Sequence, residues 1–175
     1  IKDKIFILGW GIGEEIKKEN DIQFNFTKQF IDTLPHDKML LLNQRSISDY
    51  NALDLQVQAI KQIADHHPEI AQRILFIIWQ GNNFDKIIYN RLTKFIQDNS
   101  LGSIIKIVLH PYLPESDVAY IIKRMDIIVN LVYHDQLSKS IIETMYFQKQ
   151  GLLSDIEPYR ILNDIYQTQF NLVKL

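Results

Sequence analysis

The sequence contains no cysteine. A disulfide framework, a thiol nucleophile and a Cys-ligated zinc are thereby excluded, and a reducing compartment, the cytoplasm, is the expected location. Proline and glycine are scarce, five and six in 175 residues, and no Pro/Gly/Ser linker, low-complexity stretch or internal repeat divides the chain. Long apolar runs are also missing: none reaches the roughly 18 residues of a spanning helix. The opening "IKDKIFILGWGIG" has no small-residue cleavage pattern. Neither sign of charge dominates. There are 19 basic and 21 acidic residues, a formal net charge of −2, with Lys and Arg scattered. A nucleic-acid partner is therefore not expected, nor a polybasic membrane patch. The five histidines form no convergent set, with "DHHPE" at a helix end and His36 in a loop, so no metal site is expected. A G-x-S-x-G elbow and a P-loop are absent as well.

A chain of 175 residues is one ordinary domain, able to bury roughly two-thirds of its unfolded surface. It starts on Ile and closes on a strand-like run, "FNLVKL". The expectation is a single domain over 1–175 cut from a longer two-domain protein, with 1–23 as an interdomain segment and 24–175 as the domain proper.

Apolar, β-branched runs recur at "IFILGW" (5–10), "KMLLLN" (38–43), "RILFIIW" (73–79), "IIKIVLH" (104–110) and "DIIVNLV" (126–132). Continuous apolar runs of this length read as strands buried on both faces. Between them, Val57, Ile60 and Ala64 keep a 3.6-residue spacing, as do Phe84, Ile87, Ile88, Leu92, Phe95 and Ile96, and again Val118, Ile121, Ile122 and Met125. Alternating strands and helices predict an α/β domain, a Rossmann-like parallel sheet with helices on both faces. Ligands of such sheets bind beyond the carboxyl ends of the strands, beside helix N-termini. The segments just after the strands therefore carry the candidate residues.

"GWGIGEE" places Glu14 where a dinucleotide fingerprint needs its third glycine, so a tight turn is the better reading. In "NQRSISDYN", Arg45 offers a guanidinium that could hold a phosphate bidentately, or is a surface arginine at a strand end. "WQGNN" brings Gly81 close to a ligand, or is a turn with Asn82 or Asn83 capping the next helix. In "HPYLPESDVAY", Ser116 or Glu115 reads as a cap. "DQLSKSIIETM" spans a strand-to-helix junction with Asp135 and Glu143 eight residues apart. With a helix beginning near Leu137, Glu143 lies almost two turns in, where a carboxylate is ordinarily solvated or paired.

In order and spacing, these segments resemble the C-terminal, donor-binding domain of GT-B-fold glycosyltransferases of the retaining group 1 type, also called family 4. The resemblance runs from about Leu8 to Leu162. "GWGIGEEI" resembles the P-N-G-V-D turn, and "KMLLLNQRS" with the helix from Ala52 to His66 resembles the G-R-x-x-x-x-K-G segment. "ILFIIWQGNN" is similar to the strand before G-x-G-P, and "IIKIVLHPYLPESDVAYIIKRMDIIV" to V-x-F-L-G-x-V, a helix and A-D-V. "DQLSKSIIETM" falls on E-G-F-G-L-S-L-L-E-A-M and "SDIEPYRIL" on S-D-I-P-P-Y-R-E-L.

The resemblance implies one half of a GT-B fold that binds a nucleoside-diphosphate sugar for transfer to an acceptor. Retention and metal independence follow from it, as do a hexosyltransferase type and a place in polysaccharide or glycoconjugate assembly. No cofactor is implied. The acceptor site, and any peripheral membrane contact, would belong to a missing N-terminal domain, without which this domain binds but does not transfer. By the same resemblance the catalytic residues are Arg45 on the diphosphate, Glu143 on the ribose hydroxyls and Asp135 toward the transferred sugar. Donor contacts come from Leu137, Ser138, Lys139 and Ser140 at the phosphates, Gly81 at the wall, and His110 and Tyr112 near the base. Tyr50 stands in the place of a family lysine, Gln136-Leu137-Ser138 replaces G-F-G, and Gln148-Lys149-Gln150 replaces G-x-P. These departures favour an alternative, a degenerate GT-B-like domain serving as scaffold or partner subunit. A different parallel α/β enzyme, such as a sugar epimerase, is a third reading.

Overall fold

The computed structural model describes residues 25–81, 84–110, 113–168 and 170–175. The 1–23 segment with its strand-like run and glycine turn, Asn82, Asn83 and Tyr112 lie outside them. The elements are α1 (Asn25–Asp32), β1 (Met39–Asn43), a 3-10 turn (Asp49–Asn51), α2 (Leu53–His66), a short α3 (Pro68–Ala71), β2 (Ile74–Gln80) and α4 (Lys86–Asp98). They continue with β3 (Ile105–Leu109), α5 (Glu115–Arg124), β4 (Ile127–Asn130), α6 (Lys139–Tyr146), β5 (Gln150–Ser154), α7 (Glu157–Tyr166) and β6 (Phe170–Val173). The six strands form one sheet in the order β3-β2-β1-β4-β5-β6, every adjacent pair parallel. This is the expected α/β, Rossmann-like class.

A parallel sheet covered by helices needs apolar side chains on both faces of its strands, and β2 supplies them along its whole buried length. Because successive side chains alternate, Ile74, Phe76 and Ile78 join one core with α2 and α4, while Leu75, Ile77 and Trp79 join another with α1 and α5. A smaller cluster of Val132, Ile141, Leu153, Tyr159, Leu162 and Phe170 seals α6 and α7 against the β5–β6 side.

Four helices and strands go beyond the runs read from the sequence: α1, the short α3, β5 and α7. The β5 segment, "QGLLS", carries a glycine where a Cβ would lie 2.5 Å from Phe170 Cδ1, so a packing constraint weakens its apolar signal. Helix α4 is capped not by Asn82 or Asn83 but by Asp85, whose side chain accepts from the N–H groups of Ile87 and Ile88 at 2.7 and 3.1 Å. At α5 the cap position is Pro114, and Glu115 is the first helical residue. Helix α6 starts at Lys139, two residues later than read, because Leu137 has the left-handed φ of 69° and Ser138 is extended.

Candidate functional site

Strand β1 pairs with β2 on one side and β4 on the other, so the chain, having built β2 and β3 outward, returns across β1 to begin β4. This is the topological switch point, where loops diverge and leave a crevice. The final residues of the two strands, Asn43 and Asn130, are buried. Asn43 Oδ1 accepts from the Arg45 N–H at 2.8 Å and its Nδ2 donates to Gln56 Oε1 at 2.8 Å. Gln56 Nε2 in turn donates to the carbonyls of Asn51 and Leu131 at 3.1 and 3.2 Å. A buried amide pair thus ties the loop after β1 to the loop after β4.

Those loops bring Arg45 and Asp135 together. Arg45 Nη2 stands 3.6 Å from Asp135 Oδ1, and Arg45 Nε donates to Asn51 Oδ1 at 3.4 Å. Asp135 Oδ1 also accepts from the Gln136 N–H at 2.9 Å, while Oδ2 accepts from the Tyr159 hydroxyl at 2.5 Å and the Ser138 N–H at 3.3 Å. Partial burial pushes this carboxyl up, but Tyr159, the Arg45 charge, Gln136 and Ser138 outweigh burial and hold it below the ordinary aspartate value. Tyr159 is fully buried and its hydroxyl accepts from Asn130 Nδ2 at 2.9 Å. Burial and the adjacent Asp135 carboxylate raise the phenol's pKa, so it stays a donor. Asp135 is therefore an ionised, oriented group that fixes Arg45 and the turn leading into α6.

Helix α6 begins beside this pair. Lys139 is its first residue and Ser138 precedes it, with the Ser138 and Ser140 hydroxyls 2.9 Å apart. The Lys139 ammonium contacts the Glu115 carboxylate from α5 and lies 3.9 Å from Glu143 Oε1. Glu143 is only 6% exposed, so of the two readings of its place on the helix, solvated or paired, the structure takes the second, with Lys139 as partner. Burial raises its pKa, Lys139 lowers it and Glu115 raises it, for a result of about 7. An anion approaching this corner meets a guanidinium, an ammonium and the amide groups of a helix N-terminus.

The remaining candidates fall into two groups. Tyr50 is 62% exposed, with its ring 5.1 Å from that of His134, so the position that the resemblance aligned with a lysine holds an aromatic pair. Gly81 and His110 come together at the ends of β2 and β3: a Cβ on Gly81 would lie 3.6 Å from the His110 ring, which stacks on Trp79 at 4.6 Å. Glu115, Asn130, Gln56 and Tyr159 were not singled out as site residues from the sequence. Tyr159 carries a signal in the Y of "SDIEPYRIL", and Glu115 reads in the sequence only as a helix cap.

A cavity of about 290 Å³ also opens beyond the carboxyl ends of β4, β5 and β6, where Arg160 and Lys174 are accompanied by Asp155. Arg160 Nε binds Asp155 Oδ1 at 2.5 Å, so part of its positive charge is compensated. Among the described residues no group of three His, Asp or Glu side chains converges as a metal set, and no helix is long and apolar enough to cross a membrane.

This sheet order defines a Rossmann-like, doubly wound fold with a crevice at its switch point. No family model matches the chain, and no curated protein matches it by sequence. Solved structures do. A glycosyltransferase from Rickettsia africae superposes with a TM-score of 0.75 at 16% identity over 99% of this chain and 44% of that one. The Anabaena protein Alr3699/HepE, solved in complex with UDP and glucose, gives 0.64 at 13% identity over 94% of this chain and 39% of its own. The C-terminal domain of a group 1 glycosyl transferase, LpcC from Francisella tularensis, gives 0.61 at 12% identity over 82% of this chain and 70% of that domain. The fold is that of the C-terminal domain of GT-B glycosyltransferases, and the chain spans less than half the length of the first two relatives.

Proposed function

We propose that this chain is the nucleotide-sugar-binding domain of a retaining, metal-independent glycosyltransferase of the hexosyltransferase type. The observation that carries the reading is the convergence at the switch point of Arg45, Asp135, Lys139 and Glu143 around the N-terminus of α6. In the reaction, the bond between the sugar's anomeric carbon and the diphosphate breaks with its electron pair going to the diphosphate, and an acceptor oxygen bonds to the anomeric carbon and passes its proton to the departing diphosphate. Negative charge builds on the diphosphate, and fixed cations and amides aimed there lower the barrier without a divalent ion. Arg45 and Lys139 are the cations placed to do this, while Glu143 in its ionised form accepts from ribose hydroxyls. Asp135, with both oxygens engaged, orients Arg45, and any contact with the sugar is made from that fixed position. The acceptor and the second wall of the cleft belong to a further domain. A cytoplasmic place in polysaccharide assembly completes the proposal.

The reading is tested by thermal unfolding with UDP, GDP and ADP and their sugar conjugates. A ligand at about a hundred times its Kd stabilises a domain by roughly 2.7 kcal/mol, or about 5 to 10 °C at this size. The expected result is a shift of that order with one base, lost in Arg45→Ala and Glu143→Ala. No shift with any nucleotide at millimolar concentration overturns the proposal. It would favour the degenerate scaffold, for which the exposed Tyr50–His134 pair in the place of a lysine is the supporting observation.

A further inference from the structure

Lys139 does not face the crevice as a free cation. Its ammonium is in contact with the carboxylate of Glu115, the first residue of α5, and Glu143 approaches it from its own helix at 3.9 Å. The two carboxylates differ in their surroundings. Glu143 is buried, whereas the side chains of Lys139 and Glu115 are 38% and 35% exposed, so their contact is open to exchange with a solute. Arg45 is likewise occupied, by Asp135.

From this arrangement we infer that Glu115 is a built-in competitor for the diphosphate of the donor. Its carboxylate holds the Lys139 ammonium while the site is empty and gives it up when a nucleoside diphosphate arrives. The inference rests on the donor-site reading above and adds a residue that sets the affinity of that site. Three physical terms support the exchange. A diphosphate carries more charge than a carboxylate and presents several acceptor oxygens to the ammonium and the α6 amides together. Once displaced, Glu115 keeps a favourable place for its charge in the first turn of α5. In that place it is still an anion near the phosphates, so it weakens binding twice: by the ion pair that must break and by repulsion afterwards. An exchangeable pair of this kind is worth up to about 1 kcal/mol, so neutralising Glu115 is expected to tighten diphosphate binding on the order of fivefold.

The test is calorimetric titration of the chain with UDP, GDP and ADP, using uridine, guanosine and adenosine as phosphate-free controls. It compares wild type, Glu115→Gln and the double variant Glu115→Gln/Lys139→Met. The expected result is severalfold tighter binding of one diphosphate to Glu115→Gln, no change for its nucleoside, and loss of the gain in the double variant. A diphosphate that binds wild type and Glu115→Gln equally overturns the inference and leaves the donor reading standing. A gain that survives in the double variant also overturns it, because the route through Lys139 is then wrong. Absence of binding in wild type and Glu115→Gln alike overturns both readings together.

Discussion

Glu143 is a carboxylic acid placed where water barely reaches it, and that fixes the sign of its pH dependence. Its pKa is raised from 4.5 to about 7, first by burial, with Lys139 opposing and Glu115 adding to the rise. Between those values the folded chain holds a proton that the unfolded chain has released, so stability falls as pH rises through this window and levels off above it. The loss amounts to about 3 kcal/mol. Urea midpoints at pH 5 and pH 8 should therefore differ in wild type, and Glu143→Gln should flatten the difference by being the more stable protein at pH 8. Equal pH dependence in the two proteins would mean that Glu143 ionises freely. Ribose binding through the ionised form has the opposite trend, strengthening toward pH 8. Tyr159 gives a second residue-scale prediction. Its hydroxyl joins Asn130 to Asp135, and Asn130 Oδ1 is already buried with no hydrogen-bond partner among the described residues. Tyr159→Phe should cost about 1 to 3 kcal/mol, read as a lower urea midpoint. Arg45, Asp135 and Glu143 were legible in the sequence as residue types behind strands. Their partners were not, because Tyr159 lies 24 residues from Asp135 and Lys139 lies 24 from Glu115, and local periodicity carries no information on such pairs.

At the scale of elements, β2 announces itself because it is buried along its whole length, and β1, β3 and β4 do so through apolar runs that persist although Met39, Lys106 and Leu109 are exposed. Helices α2, α4 and α5 do so through their spacing. Where a second constraint intrudes, the signal fades. Gly151 in β5 is required by the Phe170 ring of β6, so Gly151→Ala should destabilise the fold by about 1 to 3 kcal/mol, and Phe170→Leu in the same chain should restore part of the loss. The end of α6 shows the reverse case, a missing glycine. Gln148 has a φ of 52°, its N–H donates to the Met145 carbonyl at 3.0 Å, and the Lys149 N–H donates to the Thr144 carbonyl at 3.0 Å. This is the Schellman termination, whose left-handed position ordinarily belongs to glycine. Ser100 ends α4 in the same way, with Leu101 returning to Ile96 in the core. The left-handed turn at Gln148 thus forms without a glycine, at a conformational cost of about 1 to 2 kcal/mol. Part of that cost returns as extra chain entropy when glycine is introduced. Gln148→Gly is expected to raise stability by about 0.5 to 1 kcal/mol, and a lower melting temperature in the variant would show that the Gln148 side chain contributes contacts of its own.

Across the whole molecule, stability and site are unevenly distributed. Strand β2 lies inside the sheet, buried along its length, with a core on each face. Among the described residues strand β6 is an edge paired only to β5, and its side of the sheet rests on the smaller cluster around Tyr159. Opening free energy follows buried apolar contact, so native-state hydrogen exchange should show β6 and α7 exchanging through a cheaper, partial opening than β2. The switch point lies between these regions. Arg45 is anchored to β1 through Asn43, whereas Asp135 is held by Tyr159 of α7, so the Arg45–Asp135 pair spans the strong and the weak side. A nucleoside diphosphate bound to Arg45 and to the start of α6 would add a second link between the two, and a ligand that binds only the closed state raises the cost of opening by its binding free energy. The expected outcome in hydrogen exchange with saturating nucleotide is slower exchange in residues 44–51 and 131–143, and also in α7, which the ligand need not touch. Amides of β2, already limited by global unfolding, should slow only as much as global stability rises. Protection confined to the contact loops, with α7 unchanged, would mean that Tyr159 holds Asp135 without coupling the β5–β6 side to the site.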